Sequence, residues 1–280
     1  MYFLAIETTG AFASVALLED DRVLEHIQGH DRFSHLQNLM PQVKEVLENH
    51  KLSINDVEAI AVSKGPGSFT GIRIGVSSAR ALCQVLGIPG VPVSSLEALA
   101  MRAEELQGKE QQAAAGGSSA KDAPDMSKTI ADSALKASDD KTLLCPILDA
   151  RRSQVYGGGY FLKNGYPVEM VKGGAYTVEE FLSKVDAYDR ILLLGDGADA
   201  YGEKIVEARR EKGKITEIAS EAVRYQDAVT VGRLGAKLLK EGAGLSYQEL
   251  LPDYMRQAEA ERKLAEKQAA EAAKRAASKE

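Results

Sequence analysis

The residues best suited to chemistry lie in the loop 65–71, Gly-Pro-Gly-Ser-Phe-Thr-Gly, between an apolar β-branched run and a helical pattern. Such a loop can hold a phosphate, because the N-terminus of the helix offers unpaired N–H groups and a positive dipole end. It matches neither common phosphate fingerprint. Ile72 follows it where a Walker A loop needs Lys, and Thr70 stands where the dinucleotide fingerprint needs glycine. Two interpretations stay open: a ligand cradle, or a strand-to-helix turn in which Gly71 and Gly75 let another helix come close.

Three further polar turns carry residue types that are used in ligand sites. Residues 7–10, Glu-Thr-Thr-Gly, separate the first two predicted strands. A carboxylate beside two hydroxyls can hold a metal–phosphate pair or simply close a hydrogen-bonded turn. Residues 149–152, Asp-Ala-Arg-Arg, form either an anion site or a salt-bridged corner. Residues 195–197, Gly-Asp-Gly, lie where a strand meets a helix and leave the same ambiguity.

No pattern typical of a metal site or a nucleophilic site accompanies these turns. The first two of the four histidines would need a helix to share a face, but they fall at a predicted strand end. The sequence has no G-x-S-x-G motif, and Cys83 and Cys145 lie far apart in apolar contexts typical of reduced core residues. We therefore predict no metal site and no catalytic residue. The histidines are His26, His30, His35 and His50.

The composition is that of a globular protein with an acidic balance. The chain has 280 residues, 44% of them hydrophobic, and a formal net charge of −6. That balance disfavours a broad basic surface, so if the protein serves RNA we expect a partner to supply most of the phosphate contacts. No stretch approaches the roughly 18 apolar residues of a membrane span, and the first residues lack a basic lead and a cleavage site. We expect a cytoplasmic protein with no membrane contact.

The elements that position these turns follow a pattern that repeats along the chain. In the first half, apolar runs predict a three-strand antiparallel meander, then helix, strand, helix, strand and helix. Pro41 falls inside the first helix and predicts a kink or a late start. Ser68 or Thr70 is a suitable N-cap for the second helix, and Gly87 is a suitable stop. The predicted strands are residues 2–6, 14–18, 22–27, 57–62 and 91–93, and the helices are 34–48, 70–86 and 96–106.

The second half predicts the same order of elements. Its strands are residues 142–148, 154–161, 166–171 and 191–194, with an edge strand at 214–218, and its helices are 178–185, 198–212 and 227–241. We therefore predict two related α/β domains, residues 1–106 and 142–255. Residues 107–141 are an insertion or linker with too little apolar surface to order, or contain a marginal helix at 126–137. Residues 256–280 are a charged, alanine-rich helical tail.

By its motifs the chain resembles the TsaB (YeaZ) family, the companion subunit in bacterial threonylcarbamoyladenosine modification of tRNA. The run from residue 65 to 75, GPGSFTGIRIG, is highly specific. Weaker matches occur in the expected order at residues 5–9, 14–17, 93–97, 149–156, 195–197 and 252–256. The resemblance covers both halves, whereas the insertion and the tail depart from the family's shorter pattern.

The resemblance implies an α/β fold of the actin-like, sugar-kinase-like ATPase (ASKHA) type, with two related domains of β-meander plus helices. The catalytic relative, TsaD, carries two metal-binding histidines where this chain has Ser95 and Leu99. Neither side chain replaces an imidazole ligand. The chain would then be a non-catalytic scaffold that pairs with TsaD, with the TsaE ATPase joining the pair. The complex transfers a threonylcarbamoyl group from its adenylate to the adenosine next to the anticodon.

The resemblance also implies site residues, and no required cofactor beyond weak ATP or ADP binding in the complex. The predicted interface, for TsaD or for a second copy of the chain as a homodimer, comprises Leu36, Leu39, Met40, Val43, Phe69, Gly71, Ile72, Arg73, Ile74, Gly75, Val76 and Ser78. A vestigial nucleotide site would comprise Glu7, Thr8, Thr9, Gly65, Gly67, Gly195 and Gly197. The alternative is an independent ATPase, small-molecule kinase or peptidase-like enzyme of the same fold, with Glu7 as its carboxylate.

Overall fold

The computed structural model describes residues 1–29, 35–104 and 142–255, with the backbone alone for residues 35 and 36. The predicted insertion and the predicted charged tail, residues 107–141 and 256–280, lie outside the described residues. None of the described helices combines the length and hydrophobicity that a membrane span requires.

The first sheet has five strands in the order β3-β2-β1-β4-β5. Its first three strands are antiparallel neighbours, which confirms the predicted meander. The other two are parallel, β4 to β1 and β5 to β4. The strands are β1 (Tyr2–Glu7), β2 (Ser14–Glu19), β3 (Arg22–Gln28), β4 (Val57–Gly65) and β5 (Gly90–Ser94).

The second sheet repeats this plan with the order β10-β9-β6-β7-β8. Again three antiparallel strands come first, and the next two run parallel to β6 and to β9 respectively. This repetition confirms the prediction of two related halves, and β10 is the predicted edge strand. The strands are β6 (Thr142–Asp149), β7 (Gln154–Lys163), β8 (Tyr166–Thr177), β9 (Arg190–Leu194) and β10 (Ile215–Ile218).

The described helices differ from the predictions mainly at their ends. The first begins at His35, before Pro41, so the predicted late start is wrong, whereas the kink stays a prediction. The third ends at Met101, before the predicted end, and residues 105 and 106 of that prediction lie outside the described residues. The short helix Glu221–Arg224 was not predicted. The helices are α1 (His35–Asn49), α2 (Phe69–Leu86), α3 (Ser95–Met101), α4 (Val178–Lys184), α5 (Asp196–Arg210), α6 (Glu221–Arg224) and α7 (Ala228–Lys240), and a 3₁₀ turn covers Ile54–Asp56.

The helices cover both sheets and cross between the two halves. Helices α1 and α2 pack on one face of the first sheet, and α7 packs on the other, against β1, β2, β4 and β5. Helix α3 contacts α7 and the second sheet, and α4 and α5 pack on the second sheet as well. The division of the chain into domains 1–106 and 142–255 stays a prediction, but α7, from the second segment, contributes to the core of the first sheet.

The strand β1 shows why both faces of the first sheet are covered. Its residues alternate between two cores: Leu4 and Ile6 pack with α1 and α2, whereas Phe3 and Ala5 pack with α7. All four side chains are fully buried. Since successive side chains of a strand point to opposite faces, a strand that is apolar at every position must lie between two layers. The continuous apolar run at the start of the sequence reflects this position.

Candidate functional site in the cleft between the sheets

The Glu7 carboxylate at the end of β1 closes its own turn. One carboxylate oxygen accepts hydrogen bonds from the Thr9 amide, the Thr9 hydroxyl at 2.7 Å and the Gly10 amide at 3.2 Å. The other accepts from the Ser63 hydroxyl on β4. Glu7 is fully buried, and burial raises the pKa of its carboxyl group, although these hydrogen bonds act in the opposite direction. The arrangement matches the interpretation of residues 7–10 as a hydrogen-bonded turn, since the donors that surround the carboxylate belong to this chain.

The glycine-rich loop packs directly on that turn. The Ser68 amide donates to the Thr9 carbonyl at 2.9 Å, and the Thr8 hydroxyl donates to the Gly71 carbonyl at 2.7 Å. A Cβ atom on Gly71 or Gly75 would overlap an oxygen of Thr8. The group that approaches these two glycines is therefore Thr8 of the same chain, which corrects the prediction that they admit a partner's helix.

Ser68 caps α2, as one of the two predicted N-caps. Its hydroxyl accepts a hydrogen bond from the Gly71 amide at 3.3 Å. At the other end of the helix Gly87 takes the left-handed conformation, with φ 66°, and its amide donates to the Cys83 carbonyl. Both ends of the helix were therefore predicted correctly from local residue types, because caps depend on the chain next to them.

The hairpin after β6, in the second half of the chain, faces the glycine-rich loop of the first half. The Asp149 carboxylate accepts from the Arg151 amide at 2.8 Å and from the Tyr201 hydroxyl at 3.1 Å, and it pairs with the Arg151 guanidinium at 3.2 Å. Arg151, Arg152 and Ser153 all have positive φ, at 64°, 56° and 58°. Three consecutive non-glycine residues in the left-handed backbone conformation are unusual and cost free energy. Such strain is found most often at functional sites.

The turn 195–197 supplies a second carboxylate. Asp196, the first residue of α5, accepts a hydrogen bond from the Asp149 amide at 3.0 Å. Burial raises the pKa of Asp196, although the hydrogen bond from the Asp149 amide acts in the opposite direction. Gly195 and Gly197 instead face β6, where a Cβ atom on either would clash with the Ile147 carbonyl. They let α5 approach that strand closely, and their assignment to a vestigial nucleotide site stays a prediction.

These turns meet in one cleft of about 310 Å³ between the two sheets. Of the predicted nucleotide residues, Thr9 and Gly67 line it, whereas Glu7 and Thr8 are buried behind it and Gly65 lies under the backbone of Asp253. Gln226 also lines the cleft but was not predicted from the sequence, because it belongs to no recognisable motif. The described lining comprises Thr9, Gly10, Ala11, Gly67, Ser68, Phe69, Leu148, Asp149, Ala150, Arg151, Tyr156, Asp196 and Gln226.

The charges of the cleft limit what it can hold. Its described lining brings two carboxylates, Asp149 and Asp196, together with one guanidinium, that of Arg151. Like charges repel strongly where water is scarce, so a bare phosphate group is disfavoured next to these carboxylates. Among the described residues, no three or more His, Cys, Asp or Glu side chains are placed to share a metal ion.

The predicted partner face is only partly exposed. Four of its apolar side chains are buried in the core between the first sheet and α1 and α2, namely Leu39, Val43, Ile72 and Val76, and Gly71 and Gly75 are buried too. This burial corrects their assignment as contact residues, because their side chains already fill the chain's own core. Met40, Phe69 and Arg73 are exposed, Ile74 and Ser78 are half-buried, and the side chain of Leu36 lies outside the described residues. Val85, which was not predicted, is 83% exposed.

Ser95 and Leu99 on α3 are both fully buried. The Ser95 hydroxyl lies 3.0 Å from the Thr9 hydroxyl, within hydrogen-bonding distance. Leu99 packs in the core between α3 and the second sheet, beside Leu144 and Leu192. Both positions therefore serve packing within the chain.

The paired five-stranded sheets with their helices form the actin-like, sugar-kinase-like (ASKHA) fold, as predicted. The structure is similar to that of YeaZ from Pseudomonas aeruginosa, with a TM-score of 0.68 and 26% identity over 90% of this chain and 99% of that one. A second solved structure, a Pseudomonas aeruginosa protein described as similar to peptidase YeaZ, gives the same TM-score at 24% identity, over 91% of this chain and 99% of that one.

Sequence comparison identifies the family. The chain is 32% identical over 269 residues to the tRNA threonylcarbamoyladenosine biosynthesis protein TsaB of Bacillus subtilis, covering 96% of this chain and 100% of that protein. It is 39% identical over 103 residues to TsaB of Escherichia coli, covering 37% of this chain and 44% of that protein. Residues 31–115 match the TsaD family model, described as tRNA N6-adenosine threonylcarbamoyltransferase. The chain belongs to the TsaB family, which confirms the resemblance seen in its motifs.

Proposed function

We propose that this chain is a non-catalytic subunit of the complex that makes threonylcarbamoyladenosine in tRNA, pairing with TsaD and recruiting TsaE. Its relatives named TsaB are biosynthesis proteins of that modification, and part of the chain matches the TsaD family model. A subunit that shares the fold of its catalytic partner can pair with it through equivalent elements. On this proposal the protein works in the cytoplasm and contacts tRNA mainly through the complex.

The observation that carries the proposal is the environment of Ser95 and Leu99. These residues stand where TsaD is expected to carry its two metal-binding histidines. In this chain one is a hydroxyl beside Thr9 and the other is a leucine in the core. A hydroxyl and an alkyl group do not replace imidazole as metal ligands. The partner would therefore supply the metal site and the transfer chemistry.

The exposed residues of α1 and α2 form the proposed partner surface. The two helices contact each other, and Met40, Phe69, Arg73 and Val85 are exposed on them. Methionine, aromatic and arginine side chains are enriched at protein interfaces. We propose that this surface forms a homodimer in isolation and binds TsaD in the complex. No cofactor is required on this proposal, and the cleft binds ATP or ADP weakly at most.

Reconstitution tests the proposal directly. Modified adenosine is measured after tRNA and the threonylcarbamoyl adenylate are incubated with TsaD and TsaE, with and without this chain. We expect the modification to depend on the chain. The isolated chain, assayed in parallel for ATP hydrolysis, sugar phosphorylation and proteolysis, is expected to show none. Full modification without the chain, or turnover by the chain alone, would contradict the proposed role and favour the independent enzyme.

A further inference from the structure

Residues 245–255 cross the first half of the protein after α7. At the start of this segment, Leu245 and Gly90 exchange two backbone hydrogen bonds, at 2.9 and 2.8 Å. In its middle, Leu250 is fully buried against Gly90 and Cys83 in the core under α2. Near its end the Asp253 amide donates to the Lys64 carbonyl at 2.8 Å, beside the glycine-rich loop. The segment, which we term the strap, is therefore fixed to β5 and to the end of β4.

Two arginines on α2 hold the side of the strap. Arg80 Nε donates to the Tyr247 carbonyl at 2.9 Å, and Arg73 Nε donates to the Tyr254 hydroxyl at 2.9 Å. Residues seven apart on a helix lie on the same side, two turns from each other. The strap therefore runs antiparallel to α2 along the row of its two arginines. In both contacts the helix supplies a charged donor, which strengthens the hydrogen bond.

The end of the strap joins the two halves. The Tyr254 ring lies 4.8 Å from that of Phe69 and packs on the core of the first sheet. The next residue, Met255, packs on the core of the second sheet, with Tyr156 nearby. Adjacent residues of the strap thus enter two different cores.

Phe69 connects this junction to the cleft and to α2. Phe69 lines the cleft, and its ring contacts that of Tyr254. The Arg73 guanidinium lies over the Phe69 ring, with its Cζ atom 3.9 Å from the ring centroid. A movement of Tyr254 must therefore disturb both the wall of the cleft and the first turn of the helix. Since packed side chains have few alternative arrangements, such a contact transmits a displacement rather than absorbing it.

We propose that the strap fixes the orientation of the two sheets through Tyr254 and Met255, and in doing so sets how α2 is presented to a protein partner. The effect on a partner rests on the proposed binding of TsaD, whereas the effect on orientation does not. The strap thus couples the relative orientation of the two sheets to the affinity for the partner.

Distances between spin labels test the orientation. Labels are placed on cysteines at two exposed positions, Asp21→Cys beside the first sheet and Lys163→Cys beside the second, and measured by pulsed electron paramagnetic resonance. The native Cys83 and Cys145 are buried, and burial raises the pKa of both thiols, so that the labels react at the introduced sites. We expect Tyr254→Ala and Met255→Ala to shift or broaden the distance distribution.

Milder and matched variants keep the test decisive. Tyr254→Phe removes only the hydroxyl that accepts from Arg73 and is expected to cause a smaller change. Met170→Ala, at an exposed methionine on β8 outside the strap, is expected to leave the distances unchanged. Circular dichroism confirms that each variant is folded. An unchanged distribution in folded Tyr254→Ala and Met255→Ala would overturn the proposal.

The affinity for TsaD tests the coupling separately. We expect Tyr254→Ala and Met255→Ala to weaken TsaD binding by about tenfold, and Met170→Ala to leave it unchanged. Altered distances with unaltered TsaD affinity would overturn the coupling to the partner surface. If the unmodified chain does not bind TsaD at all, the proposed function fails, while the label distances still decide whether the strap sets the orientation.

Discussion

Gly71 lies so close to Thr8 that a Cβ atom on the glycine would overlap the Thr8 carbonyl oxygen. The Thr8 hydroxyl in turn donates to the Gly71 carbonyl at 2.7 Å. The two residues are 63 positions apart in the chain, and their contact joins the turn that follows β1 to the start of α2. The glycine-rich loop is thus first of all a packing surface for the turn that ends β1.

Gly71→Ala should therefore destabilise the protein strongly. The added methyl group meets backbone rather than a mobile side chain, so relief requires moving the start of α2 away from β1. Overpacking of this kind costs about 3 kcal/mol. Chemical denaturation measures the loss. The control is Ser77→Ala, at an exposed position of the same helix, for which about 0.5 kcal/mol or less is expected. A Gly71→Ala protein as stable as this control would refute the packing role.

Local patterns predicted most of this fold, whereas contacts between distant residues were not predictable. Strand β1 was found from its apolar run and α2 from its caps, because both signals lie in adjacent residues. The same reasoning assigned Gly71 to a partner, since the sequence does not show that Thr8 occupies the space beside it. The position of Gln226 in the cleft and the packing of α7 on the first sheet depend on tertiary contacts and leave no local signal in the sequence.

The Glu7 carboxyl group should make stability depend on pH. Burial raises its pKa in the folded protein above the ordinary 4.5, so the folded state holds this proton more tightly than the unfolded state does. The stabilisation is then fully present below pH 4.5 and is lost as pH rises through the folded pKa. Glu7→Gln stays neutral, and its amide oxygen can accept from Thr9 and Gly10 while its NH₂ group donates to Ser63.

The free energy of unfolding of Glu7→Gln, relative to the unmodified chain, should therefore rise between pH 4.5 and pH 8. Denaturation at several pH values measures this difference, and titration of the other carboxylates cancels in it. Glu45→Gln, at an exposed position on α1, is the control for exchanging a carboxylate for an amide. A flat difference for Glu7→Gln would show that the pKa of Glu7 is the same in both states.

Arg209 should be needed for the stability of the second half. Its side chain is 1% exposed, and its guanidinium donates to the Val185 and Tyr188 carbonyls, at 3.1 and 2.7 Å, and to the Thr216 hydroxyl at 2.8 Å. Arg209→Ala leaves these acceptors buried without their donor and creates a cavity, at a cost of about 3 kcal/mol or more.

The neighbouring arginine provides a matched control for that measurement. Arg210 is exposed, so Arg210→Ala should change the free energy of unfolding by about 0.5 kcal/mol or less. Both variants are compared by thermal or chemical denaturation. Equal losses for the two arginines would contradict the structural role of Arg209. This difference between Arg209 and Arg210 was not predictable from the sequence, because the side that a helix buries depends on what packs against it.

Introducing a charge on the partner surface separates binding from folding. Val76 is buried, so a charge there would disturb the core, whereas Met40 is 41% exposed and Val85 is 83% exposed. We expect Met40→Glu and Val85→Glu to fold normally but to weaken homodimerisation and TsaD binding about tenfold or more, since a charge buried in an apolar interface lacks a partner. Sedimentation and binding titrations measure both effects. Val168→Glu, at a position 43% exposed on β8, is the matched control and should leave both unchanged. If the α1 and α2 variants dimerise and bind TsaD as tightly as this control, the partner surface lies elsewhere on the protein.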